Sequence, residues 1–167
     1  MTIVVCDTGP ILHLHEAGLL DWLGAMGSVH TPVAVDRELA LLIPGWPGMR
    51  PNWLLVQSIQ QPVPEPLQSI CRQGGLGPGE IEAIALSIEL RVDWLLTDDT
   101  AARVIAESTG LEAHGSLGIV LFRAAQGQVA GDVARTALDR LAATSLWLSK
   151  PILARAKAAL DQILRRE

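Results

Sequence analysis

Ile3-Val4-Val5-Cys6 is a short β-branched run that stops at Asp7-Thr8-Gly9-Pro10, which predicts a buried strand followed by a tight turn. Ile11, Leu12, Leu14, Leu19, Leu20 and Leu23 then give a helix its apolar face, with Gly18 as its weak point. Ser28 to Thr31 predicts a second strand. Pro32 suits the first turn of a helix over 33–42, and Pro44 with Gly45-Trp46-Pro47-Gly48 ends that helix. Trp53 to Ile59 reads as an extended edge segment, Gln60 to Pro66 as a connection, and Leu67 to Arg72 as a short helix. The glycine-rich run 74–79 opens into a strong helix from Glu80 to Ile88, with Ile81, Ile84, Ala85 and Ile88 on one face. Trp94 to Thr97 predicts a third strand ending at Asp98-Asp99. A helix follows over Thr100 to Ser108, then a short strand over Leu111 to His114. Gly115-Ser116 leads into another helix, Asp132 to Ala143 forms one more, and Leu148 to Arg166 forms a terminal amphipathic helix.

Strands alternating with helices imply a mainly parallel sheet of four or five strands covered on both faces, a three-layer α/β/α sandwich. The length of 167 residues suits a single domain, 1–167, with 131–167 as a C-terminal helical extension of it. At 49% apolar and 19% charged residues, the composition is that of a globular protein and excludes intrinsic disorder. No run reaches the roughly 18 apolar residues of a membrane span, and the first residues lack a signal-peptide pattern. Cys6 and Cys71 belong to no metal-binding cluster and read as buried thiols in a reducing compartment, so a cytoplasmic location is expected.

Charge changes the picture. The formal net charge is −5, which argues against a basic domain held on nucleic acid by counterion release. Residues 1–90 hold three basic groups against nine acidic ones, a balance of −6, whereas residues 91–167 hold ten against nine, a balance of +1. Position gives the excess acid a meaning. Ligands of such sheets sit at the carboxyl ends of the strands, where Asp7 and Asp98-Asp99 stand. Glu80 opens a helix and Glu38 lies one to two turns after the second strand, so four acidic positions can converge. Like charges brought so close raise one another's pKa unless a divalent cation compensates them. A hard-metal site follows, in which Mg²⁺ or Mn²⁺ binds a phosphodiester oxygen and activates a water, supplying the positive charge the side chains lack.

The same residues resemble a known family. Val5-Cys6-Asp7-Thr8-Gly9-Pro10, Thr31 to Leu39, Gly77 to Leu86 and Leu95 to Arg103 resemble the four signature blocks of a PIN domain, in order and over nearly the whole chain. Within that family they are similar to the VapC-like toxin group whose third block reads G-E-x-E-A-I-A-L; His114 to Leu121 and Leu146-Trp147-Leu148-Ser149 are similar to its tail. The resemblance implies a metal-dependent endoribonuclease, the toxin of a type II toxin–antitoxin pair, dimeric and inhibited by a small cognate antitoxin. It implies Asp7, Glu38 and Glu80 as the first three acids, and Asp98 or Asp99 as the fourth. Asp99 fits a T-x-D reading, whereas an ungapped count from Glu80 favours Asp98. Asp7, Glu80 and Asp98 or Asp99 are the expected metal ligands, with Thr8, Thr97 and Arg103 in support. Commoner toxins have Asp where this chain has Glu80, a change of reach by one methylene.

Other readings exist for these residues. Asp7 can serve as a helix cap, and Glu80 as a favourable charge at a helix N-terminus. Glu82 is turned about 200° from Glu80, and Asp36 stands in the same relation to Glu38. His13 and His15, spaced i, i+2 on a helix, face different ways and are not expected as ligands. Arg103 suits a substrate phosphate, a site carboxylate or a surface ion pair, and Arg123 is a second place to expect RNA contacts. The five Trp residues read as core and interface groups rather than base-stacking platforms. Leu19 to Met26 and the terminal helix are candidate partner surfaces or ordinary core. A haloacid-dehalogenase-type phosphatase would need Asp-x-Asp where the chain has Asp7-Thr8-Gly9, and it and a receiver domain would both need a lysine that Lys150 and Lys157 are misplaced to supply. A catalytically silent PIN-like binding module is the remaining alternative.

Overall fold

In the computed structural model, which describes residues 1–165, the β-branched run Ile3–Cys6 forms strand β1 at the centre of the sheet. Val4 and Cys6 point into one apolar core and Val5 into the other, the alternation that a strand covered on both faces requires. Strands β2 (Ser28–Pro32), β3 (Leu54–Gln57), β4 (Trp94–Leu96) and β5 (Ala113–His114) complete a five-stranded, wholly parallel sheet in the order β3-β2-β1-β4-β5. The expected three-layer α/β/α sandwich is the observed fold.

Among the described residues ten helices connect and cover the strands: α1 (Thr8–Glu16), α2 (Leu20–Gly24), α3 (Val33–Leu42), α4 (Trp46–Met49), α5 (Glu65–Gln73), α6 (Pro78–Leu90), α7 (Thr100–Ser108), α8 (Ser116–Ala125), α9 (Gly131–Ala142) and α10 (Lys150–Leu164). Ala83, Ile84 and Leu86 of α6 and Ala102, Ile105 and Ala106 of α7 pack with Val5 and Leu95 on one face. The other face is larger. Ile11, Leu14, Val35, Leu39, Ile119, Leu138, Leu141 and Leu160, from α1, α3, α8, α9 and α10, close over Val4, Cys6, Val29 and Leu96. The C-terminal helices therefore share a core with the central strand.

Several elements differ from the sequence expectation. The first helix begins at Thr8 instead of Ile11 because Asp7 caps it directly, leaving no separate turn. It also breaks in two at Gly18, which takes a left-handed φ of +67° that only glycine adopts freely. Pro47 is tolerated in the first turn of α4, so the stretch expected to be irregular makes one helical turn around the fully buried Trp46. Pro78 and Gly79 already belong to α6. The terminal helix starts at Lys150 behind a Ser149 cap, and Arg166 lies outside the described residues. Leu19, Leu23 and Met26 are core residues, not a partner surface, and Ala156 and Leu160 bury the inner face of α10. Among the described residues no helix is long and apolar enough to cross a membrane.

From β1 the chain moves outward through β2 and β3, then returns to build β4 and β5 on the opposite side. Strand order thus reverses between β1 and β4, and the crevice beyond their carboxyl ends is where an open α/β sheet receives a ligand. The Asp7 amide donates to the Leu96 carbonyl at 3.0 Å, joining the two strand ends beneath that crevice.

Candidate active site

The first residue past β1 is Asp7, whose extended backbone makes it the N-cap of α1. Its Oδ1 accepts the Gly9 amide at 3.1 Å. The capping and metal-site readings therefore describe one side chain. Asp7 is 3% exposed, unusually low for a carboxylate. Burial pushes its pKa well above the usual range, against a hydrogen bond from the Thr97 hydroxyl, and the charges of Asp98 and Glu80 push it further. Thr97 is itself buried and accepts the Asp99 amide at 3.2 Å, so one hydroxyl links the ends of β1 and β4.

Beyond Thr97 the two adjacent aspartates part. Asp98 turns into the crevice, where Oδ1 accepts the Ser116 amide at 2.7 Å and Oδ2 accepts the Ser116 hydroxyl at 2.5 Å. The same Oδ2 lies 2.6 Å from His13 Nδ1, with both side chains largely buried. Asp99 also borders the crevice, but its Oδ1 is engaged as the cap of α7, accepting the Ala102 amide at 2.7 Å.

Glu80 occupies the first turn of α6, where its Oε2 accepts the Gly77 amide at 2.9 Å. Glu38, on α3, is held from two elements: the Thr8 hydroxyl donates to Oε2 and the Gly79 amide to Oε1 at 3.0 Å. Gly79 is needed there for space. A Cβ on it would stand 2.5 Å from Glu38 Oε2 and 2.6 Å from Oε1. Since the obstructing atoms end a flexible side chain, Gly79→Ala should displace the Glu38 carboxylate at little cost to the fold. A thermal midpoint near that of the wild type is expected, which melting curves of the two proteins check.

An open groove of about 400 Å³ is lined by Asp7, Gly9, His13, Glu80, Asp98 and Asp99, with Ser145 to Trp147 forming one wall. Glu38 is not among the lining residues; its carboxylate is tied to Thr8 and Gly79, the sequence neighbours of Asp7 and Glu80. Arg103 donates from Nη2 to the Thr97 carbonyl at 3.3 Å, makes no ion pair among the described residues, and leaves its buried Nε without a partner. Arg123 instead lies over the Trp22 ring, 5.1 Å from its centroid. Glu82 accepts the Ala34 amide at 3.3 Å, and Asp36 binds Trp46 and Arg50; both acids brace α3. Cys6 is a buried thiol whose pKa is raised first by burial and then by Asp7.

The sequence model of the PIN-domain family matches residues 3–162. The chain belongs to the PIN-domain family. No curated protein and no solved structure matches it. PIN domains are generally nucleases that use divalent metals. In this PIN domain the acids of the groove are all-oxygen donors, the set a hard divalent cation takes. Asp7 is buried against two further carboxylates while its hydrogen-bond donors are a hydroxyl and an amide, neither carrying charge. That uncompensated negative charge fits a cation. Among the described residues, however, no three acidic, His or Cys groups are already gathered around one point. Glu80 is folded back onto Gly77, and Asp98 leans on His13 and Ser116.

Two residues at the site, His13 and Ser116, carry only weak signals in the sequence. For His13 the informative spacing is not i, i+2 to His15 but i, i+4 from Gly9, whose Cβ position lies 3.6 Å from the His13 ring. It places the imidazole on the helix face above the Asp7 cap. Ser116, inside the His114 to Leu121 block, is fully buried, and its two hydrogen bonds to Asp98 give it a purpose.

Proposed function

We propose that this PIN domain is a metal-dependent endoribonuclease, with Asp7, Glu80 and Asp98 holding Mg²⁺ or Mn²⁺. The observation that carries the reading is the buried Asp7 carboxylate facing Asp98 and Glu80 at the strand-order reversal without a cationic partner of its own. When bound, the cation supplies Lewis acidity that offsets phosphodiester charge and makes water a better nucleophile. The chain's own residues do the positioning. His13 and Ser116 fix the plane of the Asp98 carboxylate, Thr97 and Gly9 fix Asp7, and Thr8 and Gly79 hold Glu38 beside the turn that carries Glu80. Asp99, engaged as the cap of α7, supports the site through helix placement.

The resemblance to VapC-like toxins supports a finer reading: a toxin of a type II pair acting in the cytoplasm as a homodimer, silenced by a cognate antitoxin that covers the groove. A second reading, a PIN-like module that binds without cutting, draws on the Glu80 carboxylate being turned toward Gly77. Cleavage of single-stranded RNA by the purified protein separates them. Cleavage is expected with Mg²⁺ or Mn²⁺, loss of it in EDTA, and recovery when Mn²⁺ is restored. Cleavage that persists unchanged in EDTA would overturn the metal-dependent reading, and no cleavage with either metal would favour the silent module.

A further inference from the structure

Four of the five Trp residues belong to the core. Trp46 is fully buried, and Trp22, Trp53 and Trp94 pack against the larger core. Trp147 does not. Its side chain is 83% exposed, between the buried Leu146 and the Ser149 cap of α10. Nor does it sit on a loose loop. The Ser145 amide and hydroxyl donate to the Glu16 carboxylate at 2.7 to 2.9 Å, and the Thr144 hydroxyl accepts the Leu146 amide at 3.2 Å. The segment is pinned on both sides while the indole faces solvent.

Exposing an indole forgoes a large burial term, so its place in the fold matters. Trp147 borders the acidic groove and also a neighbouring pocket of about 290 Å³ that shares Asp98, Thr100 and Leu146 with it. That second pocket contains Arg103, whose buried Nε has no partner among the described residues, together with Leu148 and Ile152. An aromatic plane, apolar walls and an unpaired cation adjoin the acids proposed to hold metal. This combination fits a planar aromatic ring attached to a phosphate, which is the chemistry of a nucleotide in an unpaired strand.

We propose that Trp147 is a stacking surface for the base of a nucleotide flanking the scissile phosphate in single-stranded RNA, with Arg103 on the polar side of the same pocket. The proposal rests on the nuclease reading above and adds how the substrate is gripped. It also gives an acidic protein an uncharged source of RNA affinity, since stacking needs no excess of basic residues.

Fluorescence and affinity test it together, using a short single-stranded RNA of mixed sequence and the Asp7→Asn protein, which should bind without cutting. RNA is expected to quench tryptophan emission, and Trp147→Phe to remove that quenching while keeping most of the affinity. Trp147→Ala should weaken binding about tenfold, the size of one stacked base, with an unchanged thermal midpoint because the side chain is exposed. In the catalytically intact protein the same Trp147→Ala change should raise KM with little change in kcat. Unchanged affinity and KM in Trp147→Ala would overturn the stacking proposal while leaving the nuclease reading in place. Loss of self-association with RNA binding intact would also overturn it, in favour of a protein contact. Failure of the parent protein to bind or cut RNA would overturn both.

Discussion

Asp98→Asn is expected to lose cleavage more than about 100-fold, whereas Asp99→Asn keeps it within a few-fold. Outer partners of a metal ligand already cost about 10- to 100-fold when removed, and in the proposed reading Asp98 is the ligand itself. Both of its oxygens sit among donors from Ser116 and His13, so an amide in its place loses the charge and turns an N–H toward one of them. The consequences at Asp99 differ in kind. Its carboxylate accepts the Ala102 amide as the cap of α7, a task Asn performs about equally well. Asp99→Ala removes the cap and should cost about 1 kcal/mol, a fall of roughly 2–4 °C in thermal midpoint at this chain length, with cleavage retained. Rates and melting curves of the three variants check this. An inactive Asp99→Asn beside an active Asp98→Asn would reverse the assignment.

In the metal-free protein, Asp7→Asn should raise the thermal midpoint by several degrees. The folded-state pKa of Asp7 is raised, first by burial and further by Asp98 and Glu80. The ionised carboxylate is therefore a liability above that raised pKa. As pH falls through it toward the ordinary aspartate value near about 3.9, the native state takes up the proton first and the liability disappears. Wild-type protein in EDTA should thus gain stability on mild acidification, and Asp7→Asn should lack that contribution. Asn preserves the cap of α1, and the Thr97 hydroxyl can turn to suit the amide. Mn²⁺ should raise the wild-type midpoint by relieving the same repulsion and leave Asp7→Asn nearly unchanged. A variant less stable than wild type in EDTA would contradict this account of Asp7.

The parts of the fold legible in the sequence are those governed by short-range pattern. Ile3–Cys6 alternates between two cores, and Gly18 breaks a helix where its missing side chain permits a left-handed turn. That Asp7 and Asp98 border one groove was also legible, because strand ends in a parallel sheet share one edge, and Glu80 borders it from the first turn of α6. Adjacent residues leaving a strand defeat such reasoning. Asp98 and Asp99 are told apart by their partners: Ser116, 18 residues further along, holds Asp98, whereas Asp99 caps the helix that begins at the next residue. Leu19 to Met26 looks equally apolar as core or as docking surface, and only the packing of α2 beneath the sheet separates the two. Trp147 reverses the error: a residue type that usually packs inside is held outside by its pinned neighbours.

The central claim is that Asp7 holds the metal that cuts RNA, and parallel cleavage assays of wild type and Asp7→Asn at matched Mg²⁺ or Mn²⁺ test it most directly. Cleavage by the wild type, with more than about a hundredfold loss in a variant that remains folded, is the predicted result. Equal cleavage by the two proteins would contradict it.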